Sequence, residues 1–226
     1  LNCLWCYKEI IPEITWSNLF QMDRPKPLCA GCEEKLVLLE GPRCSKCSRQ
    51  TDDKICADCL WWKGNDQLDP IEFNYSIFPY NSLMQEIIAK WKYRGDYILG
   101  EIFKTYMVDA FQEKFSKIKK EAYAVPIPLS EERAKERGFN QAAVLAKYLP
   151  VRNADILSRK HGEKQSKKKR MDRIYTENPF FMETTINKLV ILVDDIYTTG
   201  TTLRHAASML KSHGCQKVYA FTLVRG

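Results

Sequence analysis

Two sets of residues in this sequence are arranged for chemistry. Eight of its nine cysteines stand in four Cys-x-x-Cys pairs: Cys3/Cys6, Cys29/Cys32, Cys44/Cys47 and Cys56/Cys59. Two thiolates two residues apart can reach one tetrahedral ion across a tight backbone knuckle, so two such pairs complete a closed zinc site. The expectation is two structural zinc ions, with no coordination position left over for a reacting water. The short gap from Cys47 to Cys56 favours sequential pairing, with Cys3, Cys6, Cys29 and Cys32 at one ion and Cys44, Cys47, Cys56 and Cys59 at the other. Cross-braced pairing, first with third and second with fourth, is the alternative. A disulfide framework needs an oxidising compartment, and no segment here directs the chain to one. Cys215, alone in "SHGCQKVYAF", reads as a small buried residue rather than a nucleophile.

The second set is "LVILVDDIYTTGTTL", residues 189 to 203. Gly200 allows a tight turn, and amides of residues 198 to 202 can point inward at the start of the following helix. Such a helix start is an anion site, and the hydroxyls of Thr198, Thr199, Thr201 and Thr202 add donors. There is no Gly-Lys-Ser/Thr ending, so this is not a nucleotide P-loop. Asp194 and Asp195 cannot serve a phosphate, but they suit sugar hydroxyls or a Mg²⁺ ion beside it. A ribose 5-phosphate satisfies both ends of the stretch.

These residues need elements to hold them. "KLVILV" (188–193) reads as a fully apolar strand, ending where the acids begin, and "TTLRHAASMLKSHG" (201–214) as the helix after it. "AYAVPIPL" (122–129) is a second buried strand, followed by one helix over 130–149 with Ser130 as its N-cap. Helical spacing also marks 82–96 and 99–119, "IEFNYSIFPY" (71–80) reads as a strand or two, and "QKVYAFTLV" (216–224) closes the chain as a strand. Alternating strands and helices predict an α/β fold: a parallel sheet with helices on both faces, plus a small N-terminal zinc module. The expected division is a zinc-binding module over 1–65 and the α/β domain over 66–226, joined by a polar link at 61–70. Ligands of an open parallel sheet sit beyond the carboxyl ends of its strands, where "DDIYTTGTT" and "PIPLSEER" both fall.

Charge adds a partner. The net charge is +7, yet residues 1–65 hold nine basic and nine acidic residues, while "RKHGEKQSKKKRMDR" (159–173) holds eight basic and two acidic. A block of this kind, mobile over 159–178, suits a polyanion: a phosphorylated small molecule or nucleic acid. Lys167, Lys168 and Lys169 are candidates for single-stranded nucleic-acid phosphates, and Trp61, Trp62 and the aromatics of 73–80 for stacking on bases; the alternative for these aromatics, at a module junction, is core. Arg133 and Arg137, one turn apart, and Arg170 with Arg173 are candidates for a pyrophosphate. The alternative for the first two is a solvated helix face paired with Glu131, Glu132 and Glu136. His161, His205 and His213 have no triad or metal spacing. No apolar run is long enough to span a bilayer and no secretory pattern opens the chain, so a cytoplasmic protein is expected.

Two resemblances sharpen this reading. "VILVDDIYTTGTTL" resembles the phosphoribosyl pyrophosphate (PRPP) motif of type I phosphoribosyltransferases. Together with "VPIPLSEERAKERGFNQA" (125–142), "WKYRGD" (91–96) and the four cysteine pairs, the chain resembles the ComF family of competence proteins over almost its full length. The family's Gln-then-Arg-x-x-Arg loop has its counterpart in Gln165, Arg170 and Arg173, although Thr176 replaces the usual Asn. The resemblance implies a type I phosphoribosyltransferase-like domain on a zinc module and PRPP bound with Mg²⁺. It also implies a role in natural transformation, handling incoming single-stranded DNA beside a competence DNA-translocating helicase (ComFA-type). An active phosphoribosyltransferase with an unknown acceptor is the alternative.

Overall fold

The structure, a computed structural model, describes residues 1–11, 26–65, 69–93, 95–160 and 178–226. Five strands form one parallel sheet: β1 (Asn74–Pro79), β2 (Ala122–Pro126), β3 (Arg152–Asn153), β6 (Leu189–Tyr197) and β7 (Lys217–Arg225). Their spatial order is β1-β7-β6-β2-β3. A small antiparallel pair, β4 (Ser158–Arg159) with β5 (Phe180–Phe181), stands apart from it. β6 and β7 are near-continuous apolar runs because both of their faces are covered, as parallel strands require. Their register sets Leu189 beside Lys217 and Val193 beside Phe221.

Helices cover both faces. On one side α3 (Ser82–Tyr93), α4 (Lys104–Phe115) and α6 (Gln141–Lys147) bury Ile87, Trp91, Phe111 and Leu145 against Ile191, Val193 and Phe221. On the other, α7 (Thr201–Ser212) buries Leu203, Ala206, Ala207 and Leu210 against Val190, Leu192 and Ala220. β2 connects outward to β3 and β6 connects the opposite way to β7, so the order reverses between β2 and β6. The crevice beyond their carboxyl ends is the ligand position of such a sheet.

The N-terminal segment is built on a repeat. Cys3–Cys6 and Cys44–Cys47 form the same knuckle: Tyr7 N–H donates to Cys3 O and Ser48 N–H to Cys44 O, both at 3.0 Å. Tyr7 and Ser48 share the left-handed φ of 62° that closes each turn. Cys29 caps the start of the short α1 (Ala30–Glu33) and Cys32 lies within it, while Cys56 and Cys59 open α2 (Ala57–Asn65). The first knuckle packs with the α3–α4 core and the second with the α7 core. Between them the chain runs along the outer edge of β1: Leu39 N–H donates to Ile77 O at 2.7 Å and Asn74 N–H to Lys46 O at 2.8 Å. An edge strand is thereby covered. Beneath it, Ser76 and Thr222 hydroxyls lie 2.7 Å apart, and Asn74 Nδ2 donates to Ser76 Oγ at 2.8 Å, a closed buried polar group.

Four elements differ from expectation. The single helix over 130–149 is two, α5 (Glu131–Arg137) and α6, because Gly138 takes a left-handed φ of 75° and caps the first; Asn140 then caps the second through its side chain. The start of the expected 99–119 helix is a 3₁₀ turn, Tyr97–Phe103, and α4 ends at Phe115. β6 does not stop before the acids but carries Asp194 and Asp195 within it, since hydrogen bonding to β7 persists to Tyr197. Residues 61–65 are not a link: they complete α2, whose Trp62 is buried. Among the described residues, no helix is long and apolar enough to cross a membrane.

Candidate functional site

Both cysteine groupings are sequential. The sulfur atoms of Cys3, Cys6, Cys29 and Cys32 all lie within 4.8 Å of one another, as do those of Cys44, Cys47, Cys56 and Cys59. Each set can hold one ion with four thiolates, and two opposing knuckles supply the tetrahedral arrangement zinc takes. Buried thiols at this spacing fit a metal, and Cys44 Sγ accepts hydrogen bonds from the amides of Lys46 (3.4 Å) and Cys56 (3.3 Å), the outer contacts a ligating sulfur takes. The Cys47 thiol is pulled down to about 4, first by its hydrogen bond with Cys59 and, against burial, by the charge of Arg225. A zinc ion held by either set would have every ligand position filled by protein, as structural sites do.

The turn from β6 into α7 lies in the crevice. Gly200 has a φ of 80°, and a Cβ on it would collide with the Tyr197 hydroxyl and the Arg204 guanidinium. A side chain there would displace both groups and strain the backbone, which is what glycine avoids. The Thr199 and Thr201 hydroxyls lie 2.9 Å apart across the turn. A cavity of about 570 Å³ opens above it, lined on this side by Asp195, Thr198, Thr199, Thr201 and Thr202. Arg133 and Arg137 of α5 form the facing wall with Glu132 and Glu136. Arg137 is steadied by a 3.0 Å hydrogen bond to Gln141 Oε1. The third wall is α3, whose Gln85, Ile88, Lys92 and Tyr93 reach it.

The two adjacent acids are not equivalent. Asp195 lines the cavity and is ion-paired with Lys92. Asp194 accepts a hydrogen bond from the Asp195 amide at 2.9 Å. Burial first, then the neighbouring Asp195 charge, push the Asp194 carboxyl up to about 7, with Lys92 opposing. Arg159 of β4 is pushed down, by burial first and by Arg133, and Asp194 counters that shift.

Of the expected site residues, the crevice thus gathers Asp195, the four threonines, Arg133 and Arg137 in one cavity, with Gly200 in the turn beneath. Gln165, Lys167, Lys168, Lys169, Arg170, Arg173 and Thr176 lie outside the described residues, as does most of the expected mobile loop over 159–178. Trp62 is turned inward over Arg204, at 4.5 Å, and Phe73 and Phe78 pack in the core. They are therefore not exposed base-stacking aromatics, whereas Tyr80 is exposed at the cavity. Lys92 was missed. It stands in "WKYRGD", and its position four residues after Ile88 on the α3 face was the available signal.

A parallel sheet with acids at a strand end and a glycine–threonine turn at the reversal of strand order has the plan of a phosphoribosyltransferase-type domain. The model of the phosphoribosyl transferase domain family matches residues 135–226. Over its whole length the chain is 39% identical to competence protein ComFC of Bacillus subtilis, covering 95% of that protein. It is 31% identical to competence protein ComFC of Streptococcus pneumoniae, covering all of both chains. Competence protein F of Haemophilus influenzae is 26% identical over 88% of this chain and 90% of its own. The chain belongs to the ComFC family of competence proteins. Among solved structures, a hypoxanthine phosphoribosyltransferase from Staphylococcus aureus matches at a TM-score of 0.37 and 16% identity, over 56% of this chain and 64% of that chain.

Proposed function

We propose that this chain serves natural transformation as a handler of incoming single-stranded DNA, and that its crevice binds PRPP or a related phosphoribosyl ligand together with Mg²⁺. The observation that carries the ligand reading is the convergence of Asp195, the threonine turn and Arg133 with Arg137 on one cavity. In this reading the turn takes the 5-phosphate, Asp194 and Asp195 take the sugar hydroxyls or the metal, and the arginines take the pyrophosphate. The cavity's charges support a metal with the ligand. Lys92, Arg133 and Arg137 are balanced by Glu132, Glu136 and Asp195. A multiply charged pyrophosphate entering a neutral site needs a counter-ion, which Mg²⁺ supplies when bound. Arg170 and Arg173 would add to the pyrophosphate contacts and Lys167, Lys168 and Lys169 to those with DNA, on their charge alone. Names of the relatives support the competence role. A cytoplasmic location, a ComFA-type helicase partner and the division at residue 65 belong to the same proposal, with one zinc in each four-cysteine cluster.

The deciding experiment is thermal unfolding with and without PRPP and Mg²⁺. At a hundredfold excess over Kd, binding should add about 2.7 kcal/mol of stability. A shift in wild type that disappears in Asp195→Ala supports the site; no shift in wild type removes it. For DNA, neutralising Lys167, Lys168 and Lys169 should weaken binding to a single-stranded oligonucleotide and flatten its salt dependence, while leaving the PRPP shift in place. A second reading is transfer of phosphoribose to an acceptor at the same cavity, whose volume of about 570 Å³ is ordinary for a small-molecule site. Release of pyrophosphate in the presence of a nucleophile distinguishes it.

A further inference from the structure

The turn that faces the cavity is held from behind by the second four-cysteine cluster. Arg225, at the end of β7, is buried and places one guanidinium nitrogen 3.2 Å from both Tyr197 O and Thr198 O. Its other terminal nitrogen is 3.6 Å from Cys47 Sγ. One residue further along the turn, Trp62 of α2 donates its indole N–H to Thr199 O at 3.2 Å. Three consecutive carbonyls, of Tyr197, Thr198 and Thr199, thus accept hydrogen bonds from Arg225, which touches the cluster, or from Trp62, which stands on the cluster's ligand helix, while Tyr197 O also accepts the Gly226 amide at 2.9 Å. Because trans peptide units are planar, with C=O and N–H opposed, fixing these carbonyls turns the amides of Thr198, Thr199 and Gly200 the other way.

A second layer stiffens the arrangement. Trp62 lies over the Arg204 guanidinium, which donates to the Tyr197 hydroxyl at 2.9 Å and to Asp69 at 2.8 Å. Cys59 and Trp62 share α2, three residues apart, so the cluster's own ligand helix carries the tryptophan. Four thiolates around one divalent ion leave a buried, doubly negative site, for which a guanidinium is a fitting neighbour. Arg225 therefore bridges a sulfur of the cluster and the backbone of the turn, and the nitrogen that faces the turn also donates to Gly226 O.

We propose that Arg225 and Trp62 are positioning residues through which the metal-bound Cys44/Cys47/Cys56/Cys59 cluster sets the shape of the 197–200 turn. The role assigned to that turn rests on the phosphate reading above. The tie itself does not.

The test uses the full zinc-loaded chain with Trp62→Phe, which keeps an aromatic ring but loses the donor and part of the indole, and Arg225→Met, which keeps a long side chain and loses the fork and its charge. Backbone ¹⁵N order parameters of Thr198, Thr199 and Gly200 should fall from rigid values near 0.85 toward about 0.6 or below in each variant, while those in the middle of β6 and α7 stay unchanged. Zinc content should equal that of wild type. Affinity for PRPP with Mg²⁺ should drop about tenfold in Arg225→Met, the scale of one or two lost hydrogen bonds. Arg225→Lys, which restores a donor and the charge, should recover part of it. Unchanged order parameters in both variants overturn the proposal. So does loss of order or zinc throughout the chain, which would make these residues general fold contacts. If wild type binds no PRPP, the phosphate reading fails, while the order parameters still decide whether the tie exists.

Discussion

Asp194 and Asp195 show how position separates two identical side chains. Asp195 is ion-paired with Lys92, whereas desolvation by the surrounding protein first and the Asp195 charge second raise the Asp194 carboxyl from the ordinary 3.8 to about 7. The folded chain then binds more protons than the unfolded chain between those values. Stability contributed by this group is present below about 4 and declines as pH rises to about 7. Asp194→Asn should flatten that decline in urea unfolding followed against pH. An equally steep decline in the variant would assign it to other groups. Ionised Asp194 is also the form suited to a metal, so Mg²⁺-dependent ligand binding should strengthen as pH passes about 7.

At the scale of elements, the break between α5 and α6 decides where the arginines point. A continuous helix from Ser130 would carry Arg133 and Arg137 along the sheet. The left-handed Gly138 ends α5 after seven residues, and α5 stands at the cavity while α6 packs in the core. Nothing lies within 4 Å of a Cβ built on Gly138, so Gly138→Ala tests the backbone alone. It should cost about 1 kcal/mol, the left-handed penalty less the gain from a stiffer unfolded chain. The check is the denaturation midpoint. A larger role for the break appears if the same variant also weakens PRPP binding.

At the scale of the whole molecule, the cysteine clusters are built into the two sheet faces rather than hung beside them. Cys3 and Cys32 belong to one core and all four of Cys44, Cys47, Cys56 and Cys59 to the other. Metal binding and folding should therefore be one event. Elemental analysis should find two zinc ions per chain, given the two sulfur clusters. A strong chelator should broaden or abolish the single unfolding transition, because apparent zinc-site energies on the order of 10 kcal/mol are comparable to a domain's net stability. An unchanged transition after zinc removal would make the clusters dispensable for the sheet.

Much of this was legible in the chain itself. Cysteine spacing named two metal sites because ligand geometry is local, and fully apolar runs marked the buried strands because parallel strands are covered on both faces. The "DDIYTTGTT" stretch marked a tight glycine turn rich in hydroxyls, since glycine's conformational range and hydroxyl donors are properties of residues. Tertiary structure decided what lies far apart in sequence. It set Lys92 against Asp195, joined Arg225 to both Cys47 and the turn, and placed Trp62 beneath Thr199 rather than on the surface. It also carried β6 past the acids, because pairing with β7 continued where hydrophobic pattern had ended. Periodicity reports which face of an element is buried, but not which charged side chain from another element will meet it there.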